Sequence, residues 1–480
     1  MSLSETLNLL PKKYYFLFGV VFLMVVVASF FSAYLPWYLM LGGLIMLVAS
    51  FFIWKDTFLG ILLIAFWLPF ERLGAYEFGE MTIRLSQVFL VITLFWWVFR
   101  LISRGTFKFA KNPIIIPLIL FLLVGVFSLP TTLNLERSLT VYLFILFTVV
   151  LSFLIPNLVI TTKQLKKIVI VIVLSFVLVS GFGLFQFAGD MLGLPMEVTG
   201  LRELYTKDIL GFTRVQSTAY EPLYFANYLL LPIALIFAFL LSGKGLFKIS
   251  WWVMLLGLGL VNLILTVSRG GYLAMFATLA FISLFYLKKI LTIKNLVIFF
   301  IVIVAVGWIV SQALGIGGGF LTMDKFSEHI ANAFYGASFD ERVDTFTTAT
   351  QAWRENPWFG VGFGGFGTYA AEHPYYMPKD GWRIVNNQFI EILAENGIIG
   401  LIIFLSILGI LIVRSIKAIK ISKNFYTKSI MISLLAVLIG IIAQYQTFST
   451  LYIMHIWFVI GLMIAVQNII IFNKEEIVNK

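Results

Sequence analysis

Long runs of apolar residues, separated by short polar segments, dominate the chain. A run of about 17 to 25 apolar residues is long enough for a helix to cross a membrane. Cutting the sequence on this rule predicts an all-α polytopic membrane protein with about 12 to 14 transmembrane helices. The predicted spans are 14–33, 37–54, 57–70, 86–103, 113–129, 139–159, 166–189, 222–241, 250–267, 270–287, 295–312, 391–416, 428–446 and 450–472.

The composition agrees with this class, since 61% of the residues are hydrophobic and 12% are charged. A soluble domain of this length would not have such values. The first apolar run follows Lys12 and Lys13. It is longer than a signal-peptide core and lacks a small-residue cleavage site, so we expect a retained helix. The chain has no cysteine, which excludes disulfides and Cys-ligated zinc.

Lysine and arginine collect in alternate loops, as expected for cytoplasmic loops. These are the loops that hold Lys55, Arg100 to Lys111, Lys163 to Lys167, Lys244 and Lys248, Lys288 to Lys294, and Arg414 to Lys428. We therefore predict that both termini are cytoplasmic. The net charge of +11 is then an orientation signal. No nucleic-acid binding is expected, because no basic stripe is interleaved with exposed aromatic residues.

Two outer loops are longer than a connection requires, and function is expected there. They divide the chain into five predicted parts. The larger of the two loops is expected to contain short helices. The parts are N-terminal transmembrane helices (1–189), an extracytoplasmic loop (190–221), central transmembrane helices (222–312), a large extracytoplasmic loop (313–390) and C-terminal transmembrane helices (391–480).

The large loop is predicted to contain a helix that begins at Ser338, where "SFDE" forms a capping box, and ends at "RENP". The acids of "DERVD" are expected to compensate the helix dipole and stay solvated. Arg342 shares the apolar face of this helix and is directed towards the membrane mouth, or snorkels beside an aromatic residue. The face comprises Arg342, Thr345, Phe346, Ala349 and Trp353.

The stretch "GVGFGG" that follows satisfies G-x-G-x-x-G. A dinucleotide site is rejected, because that fingerprint must follow a strand and open a helix within a βαβ unit. A glycine-rich turn whose backbone closely approaches a ligand or a helix end is predicted instead.

Arg269 is the single charged residue between Lys248 and Lys288, and it is predicted at the tight outer junction of the ninth and tenth helices. Arg214 ends the other long outer loop, so that Arg214, Arg269 and Arg342 are expected to converge at one outer mouth. Each guanidinium can bind two phosphate oxygens and stays charged, so the three arginines suit a diphosphate ligand. They would also stabilise the charge that develops on a diphosphate leaving group without a metal. For Arg269 alone, contact with lipid phosphate is the alternative.

Two stretches resemble the O-antigen ligase and polymerase superfamily, bacterial membrane glycosyltransferases that use polyprenyl-diphosphate-linked glycans. They are "VSRGG" at a helix junction, and "RVDTFTTATQAWRENPWFGVGFGGFG" followed by "NNQFIEILAENGIIGLIIF". The resemblance runs from about Arg214 to Phe404, and the first third matches only in hydropathy. It implies a helical enzyme whose large external loop closes over an outward-facing cavity, with the three arginines holding the donor's diphosphate.

The family's ligases place a histidine before the asparagine of the N-x-F element, where it is proposed to activate the acceptor hydroxyl. Here that position is Asn386. An amide is not a useful general base, so Asn386 would orient a sugar hydroxyl while another group takes the proton. Outer-side candidates are Glu221, His373, Asp380 and Glu391.

The roles of two histidines are predicted separately. His373 is either this base or an exposed loop residue. His455, in the last span, is expected to bond a neighbouring helix.

The leading hypothesis is a polymerase-type, metal-independent, inverting glycosyltransferase of cell-surface polysaccharide synthesis, acting at the outer face of the cytoplasmic membrane. Its expected partners are a polyprenyl-diphosphate-linked donor, a glycan or lipid-linked acceptor and the lipid bilayer, without a cofactor. A ligase that moves a finished glycan to a lipid or protein acceptor is the alternative within this class. The alternative from another class of protein is a lipid-linked oligosaccharide flippase or other transporter. Transporters place polar sites near the midplane on broken helices and have internal repeats, and the sequence indicates neither.

Overall fold

The computed structural model describes most of the chain. Described are residues 37–78, 81–105, 107–202, 213–243, 245–292, 337–372 and 383–472, with positions 297, 300, 301 and 304. The predicted span 14–33 lies outside these residues, and so does 295–312 apart from the four separate positions.

The regular secondary structure of the described residues consists of helices and one short hairpin. The first half contains α1 (Trp37–Lys55), α2 (Thr57–Trp67), β1 (Tyr76–Phe78), β2 (Met81–Ile83), α3 (Leu85–Arg104), α4 (Ile115–Phe127), a 3₁₀ turn (Leu129–Thr131), α5 (Leu135–Leu158), α6 (Thr162–Met191) and α7 (Met196–Thr199). The second half contains α8 (Pro222–Ser242), α9 (Ile249–Leu265), α10 (Arg269–Phe285), α11 (Leu287–Ile290), α12 (Ala337–Glu355), α13 (Gly365–Glu372), α14 (Gln388–Ile421), α15 (Phe425–Gln444) and α16 (Met454–Ile471). β1 and β2 are antiparallel, with Tyr76 opposite Ile83.

Seven of these helices are long and apolar enough to cross a membrane, and five shorter apolar helices accompany them. The prediction of an all-α polytopic membrane protein is therefore confirmed. The helix predicted from Ser338 is also present, as α12, while the side chains of its capping box lie outside the described residues.

Because each span reverses the direction of the chain, the loops fall at two ends of the bundle. One end carries the lysine-rich loops that follow α1, α3, α5, α8, α10 and α14. The other, which we call the site end, carries the described segments 68–78, 81–84, 128–134, 192–202, 213–221, 266–268, 356–372, 383–387 and 445–453. Hydrogen bonds join these segments to one another, for example from the hydroxyl of Thr218 to the carbonyl of Pro69 at 2.6 Å.

Helices α8, α15 and α16 form the centre of the bundle and are almost wholly buried. Three polar side chains join them just below the site end. The amide of Asn227 donates to Gln444 and its carbonyl oxygen meets Nε2 of His455. The expectation that His455 bonds a neighbouring helix is confirmed.

Helix α14 is interrupted at Gly397, which has φ 65° and ψ −172°. The segment 357–362 supplies partners for the backbone groups that this break releases. Val361 N–H donates to the carbonyl of Ala394 at 3.0 Å, and Ile398 N–H donates to that of Pro357 at 2.9 Å. A broken apolar helix is stable only where its freed backbone groups are satisfied. The sequence analysis had not indicated this break in α14.

The glycine-rich stretch is the part of the chain that reaches this break. Gly360, Gly362 and Gly364 all have positive φ, from 67° to 91°. A side chain at Gly360 would clash with the backbone of α14 at Ala394. The prediction of a turn that closely approaches a helix end is confirmed.

Gly397→Ala is expected to lower the thermal unfolding midpoint of the detergent-solubilised protein. A positive φ costs a residue with a side chain on the order of 1–3 kcal/mol, and the added methyl would clash with the carbonyl of Trp358. Gly409→Ala is the matched control, because it lies in the same helix with nothing within 4 Å, and its midpoint should be unchanged or higher. Equal midpoints for the two variants would contradict this account of the break.

Candidate functional site

Residues 213–221 form a loop whose backbone is held by α6. The side chain of Gln186 accepts a hydrogen bond from Ser217 N–H at 2.7 Å and donates to the carbonyl of Ser217 at 3.1 Å. Ser217 is fully buried and has a φ of 51°. This anchoring fixes the two ends of the loop, where Arg214 and Glu221 lie.

Arg214 lies against the turn that joins α9 to α10. Its Nε donates to the carbonyl of Thr266 at 3.1 Å. Arg269 is the first residue of α10, and Ser268 caps this helix by accepting from Gly271 N–H at 3.3 Å. Arg214 and Arg269 therefore flank the same helix N-terminus, and the predicted tight junction is confirmed.

Glu221 directly precedes α8 and is half-buried. Burial lowers the pKa of Arg214, Tyr272 and Glu221 oppose this shift, and Arg269 adds to it. These mutual effects require the charged groups to be close. The structure thus brings together two of the three predicted arginines and one candidate base.

Arg342 lies on the apolar face of α12, which packs against α13 and α14. Ala349 on this face is fully buried. The hydroxyl of Thr345, one turn after Arg342, lies 3.3 Å from the carbonyl of Val385. Arg342 itself is half-buried, so the predicted stripe is present and faces the segment that leads into α14.

Asp344 was expected to remain solvated, and this is wrong. It forms an ion pair with Arg383, whose side chain is almost completely buried. Removing one partner of such a pair leaves a buried charge uncompensated. The pair therefore attaches residues 383–387 to α12.

Asn386 belongs to this segment, where it is half-buried and has a φ of 57°. The next residue, Asn387, caps α14 by accepting from Phe389 N–H at 3.0 Å. His373 and Asp380, two of the other predicted candidates, lie outside the described residues.

The loop 445–453 connects the asparagine segment with the arginine pair. Gln388 N–H donates to the carbonyl of Tyr445 at 2.9 Å. Further along, a side chain at Gly270 would come within 2.7 Å of the hydroxyl of Thr447. The start of α14 and the N-terminus of α10 therefore both contact this loop.

A cavity of about 620 Å³ opens beside these groups, between α3, α5 and α14. Its apolar lining, which we call the apolar wall, includes Val88, Val91, Val141, Phe144 and Ile145. Its polar lining, which we call the polar wall, includes Arg84, Arg137, Arg383, Glu391, Glu395 and Asn396, and α3 and α5 contribute to both.

Two glutamates of α14, one turn apart, line this polar wall. Glu391 is half-buried and accepts from Val385 N–H at 3.2 Å. Glu395 is buried and accepts from Phe366 N–H at 3.3 Å. Arg137 of α5 interacts electrostatically with both carboxyl groups.

Tyr452 lies where the arginine pair and the cavity meet. Burial raises the pKa of Tyr452 to about 12, and the hydroxyl of Tyr224, 3.1 Å away, opposes the shift. Glu391 and Glu221 raise this pKa further, while Arg84 lowers it. Tyr452 therefore interacts electrostatically with Glu221, beside the arginine pair, and with Glu391, in the cavity.

Several charged residues near the site, most of them in the first third of the chain, were not predicted from the sequence. The guanidiniums of Arg84 and Arg202 each lie 5.2 Å from the ring centroid of Tyr220. Glu71 accepts from Tyr220 N–H at 3.1 Å, and Arg137 and Arg84 line the cavity. A charged residue next to an apolar run, as in "PFERL", "TIRLS" and "NLERS", is the signal that points to them.

The chemistry of this site rests on guanidinium, carboxyl, amide and phenol groups. Among the described residues, no three or more His, Cys, Asp or Glu side chains are grouped so that they could hold a metal ion.

The fold and site define a helical, polytopic membrane protein with an arginine pair at a helix N-terminus and an adjoining cavity lined by carboxyl groups. Residues 252–405 match the family model described as O-antigen ligase. This match confirms the resemblance to the O-antigen ligase and polymerase superfamily, whose members are glycosyltransferase-like enzymes. No curated protein matches the chain.

The matched region contains some of the site residues and not others. Arg269, Arg342 and Asn386 lie within it, and Arg214 and Glu221 precede it. The part of the cavity wall that α3 and α5 contribute also lies outside the match.

Glu71→Gln is expected to become relatively more stable than the wild type as the pH rises. Burial raises the pKa of Glu71, against smaller opposing effects of Arg84 and Tyr220 N–H. The folded state therefore holds the proton more tightly, so the carboxyl group contributes most below its unfolded pKa of about 4.3 and loses this contribution as the pH rises. The amide keeps an acceptor oxygen and cannot ionise.

The measurement is the difference in thermal midpoint between Glu71→Gln and wild type from pH 4 to pH 8, which should increase. Glu136→Gln, at an exposed residue of the same end, is the control for replacing a carboxyl group by an amide. A Glu71→Gln difference that falls with pH would mean that the fold stabilises the carboxylate.

Proposed function

We propose that this protein is a glycosyltransferase that uses a polyprenyl-diphosphate-linked glycan, with polymerase chemistry favoured. An acceptor sugar hydroxyl attacks the anomeric carbon of the donor glycan and expels the lipid diphosphate with inversion. The observation that carries the proposal is the pair Arg214 and Arg269 at the N-terminus of α10. The match of residues 252–405 to the O-antigen ligase family supports it.

The arginine pair is best explained by an anionic ligand. A helix N-terminus carries a partial positive charge and disfavours nearby cations by about 0.3–1 kcal/mol each. Here two guanidiniums lie at such a terminus, and one of them is largely buried, with its pKa lowered by burial. A diphosphate would relieve this repulsion and accept hydrogen bonds from both side chains.

The remaining roles follow from this placement. Arg342, on the apolar face of α12, is proposed as the third diphosphate ligand. Asn386 orients the acceptor hydroxyl, and Glu221 and His373 are candidates for the group that accepts its proton. The guanidiniums stabilise the leaving diphosphate, so the proposed reaction needs no metal.

The proposed location is the cytoplasmic membrane, with the site end facing outwards and both termini in the cytoplasm. The lysine-rich loops at the opposite end support this orientation, because such loops are retained in the cytoplasm.

Two alternatives remain. A ligase would move a finished glycan onto a lipid or protein acceptor with the same donor chemistry. A lipid-linked oligosaccharide flippase gains support from the interruption of α14 at Gly397, because broken helices are common at transport sites.

Product analysis in proteoliposomes tests the proposal. The protein is supplied with a polyprenyl-diphosphate oligosaccharide, and the products are resolved by mass. A ladder of repeat-unit multiples is expected. A single addition that requires a separate acceptor would indicate the ligase, and an unaltered donor across several glycans and acceptors would favour transport.

Arg269→Ala and Arg214→Ala are expected to reduce transfer by about 100-fold or more, the usual effect of removing a group that stabilises developing charge. Arg269→Lys should recover only part of the rate, because an ammonium lacks the bidentate fork.

Arg354→Ala is the matched control, since this arginine is exposed at the end of α12, and it should keep wild-type transfer. Full transfer by Arg269→Ala, in protein that inserts and purifies normally, would remove the basis for the proposed diphosphate site.

A further inference from the structure

We infer that the cavity between α3, α5 and α14 binds the acceptor sugar, and that Glu391 accepts the proton of the attacking hydroxyl. This inference rests on the proposed function and concerns the half of the reaction that the arginine pair does not serve. It assigns a ligand class, a polyhydroxylated neutral sugar, to the cavity.

The size and the mixed polar and apolar lining of the cavity suit a sugar. Its volume of about 620 Å³ falls within the roughly 300–1,000 Å³ of small-molecule pockets. Carboxyl, amide and guanidinium groups of the polar wall can pair with hydroxyls, and the valines and phenylalanine of the apolar wall can cover the C–H face of a ring.

The charges of the polar wall are balanced within the protein, which argues against a second diphosphate site. Arg383 is already paired with Asp344. Arg137 interacts with Glu391 and Glu395. Arg84 interacts in the same way with Glu71, so the cavity offers hydrogen-bonding groups whose charges are largely compensated within the protein.

Asn396 gives the polar wall a group that points to a ligand. Its side chain is fully buried and lines the cavity. Both its amide nitrogen and its amide oxygen lack a hydrogen-bond partner among the described residues. Leaving such a group unsatisfied costs about 1–3 kcal/mol, and a sugar hydroxyl, which both donates and accepts, would satisfy it.

Glu391 is better placed than Glu395 to accept a proton. Glu395 is buried against the glycine-rich turn through Phe366 N–H. Glu391 is half-buried, and Val385 N–H orients its Oε2 at 3.2 Å. Val385 directly precedes Asn386, so the backbone that orients the Glu391 carboxyl group leads directly to the residue proposed to orient the acceptor hydroxyl.

The reaction balances without any further reagent. The acceptor oxygen forms a bond to the donor's anomeric carbon, while the bond from that carbon to the diphosphate oxygen breaks. The electron pair leaves with the diphosphate, which the arginines hold. The hydroxyl proton passes to the Glu391 carboxylate and from there to water. Tyr452 lines the cavity, and its hydroxyl contacts that of Tyr224, which follows Glu221 on α8, so it marks the place where acceptor and donor would meet.

The test separates donor binding from transfer. Glu391→Gln is expected to lower kcat for transfer by about 100-fold or more, the range of general-base catalysis. Its KM for the acceptor should change far less, because the amide keeps hydrogen-bonding groups. Binding of an unsubstituted polyprenyl diphosphate is measured as the increase that it causes in the thermal unfolding midpoint. This increase should equal that of the wild type.

Two further variants complete the comparison. Glu372→Gln, at an exposed residue ending α13, is the control and should transfer at the wild-type rate. Asn396→Ala should raise the acceptor KM about tenfold, with polyprenyl diphosphate binding unchanged. If Glu391→Gln does not fold, Glu391→Asp replaces it and should keep a reduced kcat with the acceptor KM preserved.

Several results would overturn the inference. Transfer by Glu391→Gln above a third of the wild-type rate would remove the role of this carboxylate, and a simultaneous loss in Glu221→Gln would assign the proton to Glu221. Loss of polyprenyl diphosphate binding in Glu391→Gln would place this carboxylate in the donor site. Failure of the proposed function is distinct, because the wild type would then leave every supplied donor unaltered.

Discussion

The interruption of α14 is the constraint on which the arrangement of the site depends. Within a bilayer, each unsatisfied backbone group costs several kcal/mol, so the break at Gly397 requires partners from elsewhere in the chain. Residues 357–362 supply them through the hydrogen bonds of Val361 and Ile398. Because this segment lies between α12 and α13, the same bonds attach these two helices to the bundle. The orientation of Glu395, held by Phe366 N–H, follows from that attachment.

The site end contains two adjacent regions with different electrostatics. At the N-terminus of α10, Arg214 and Arg269 add to the positive end of a helix dipole, which favours an anion. In the cavity, arginines and carboxyl groups compensate one another, which favours a neutral ligand with many hydroxyls. On the proposed function, the first region would hold a diphosphate and the second a reacting sugar, and the loop 445–453 with Tyr452 forms the border between them.

The sequence predicted what depends on local pattern, and much less of what depends on distant partners. The spans, the start of α12 and the junction at Arg269 follow from apolar run length and local signals at the helix ends. Nothing in "ENGIIG" indicates that Gly397 breaks a helix, because the groups that stabilise the break lie in another segment. Asp344 looked like a solvated acid, since its partner Arg383 lies 39 residues further along. Arg84 and Arg137 were missed because side-by-side packing of apolar helices leaves no periodic signal.

The wall of the cavity is assembled from two parts of the chain with different relationships to known proteins. Helix α14 begins within the region that matches the O-antigen ligase family, whereas α3 and α5 come from the first third, outside that match. Change in the first third can therefore reshape the cavity while leaving Arg269 and Asn386 untouched. On the proposed function, a hybrid that exchanges only residues 1–189 between two such proteins would exchange the acceptor preference and keep the donor chemistry.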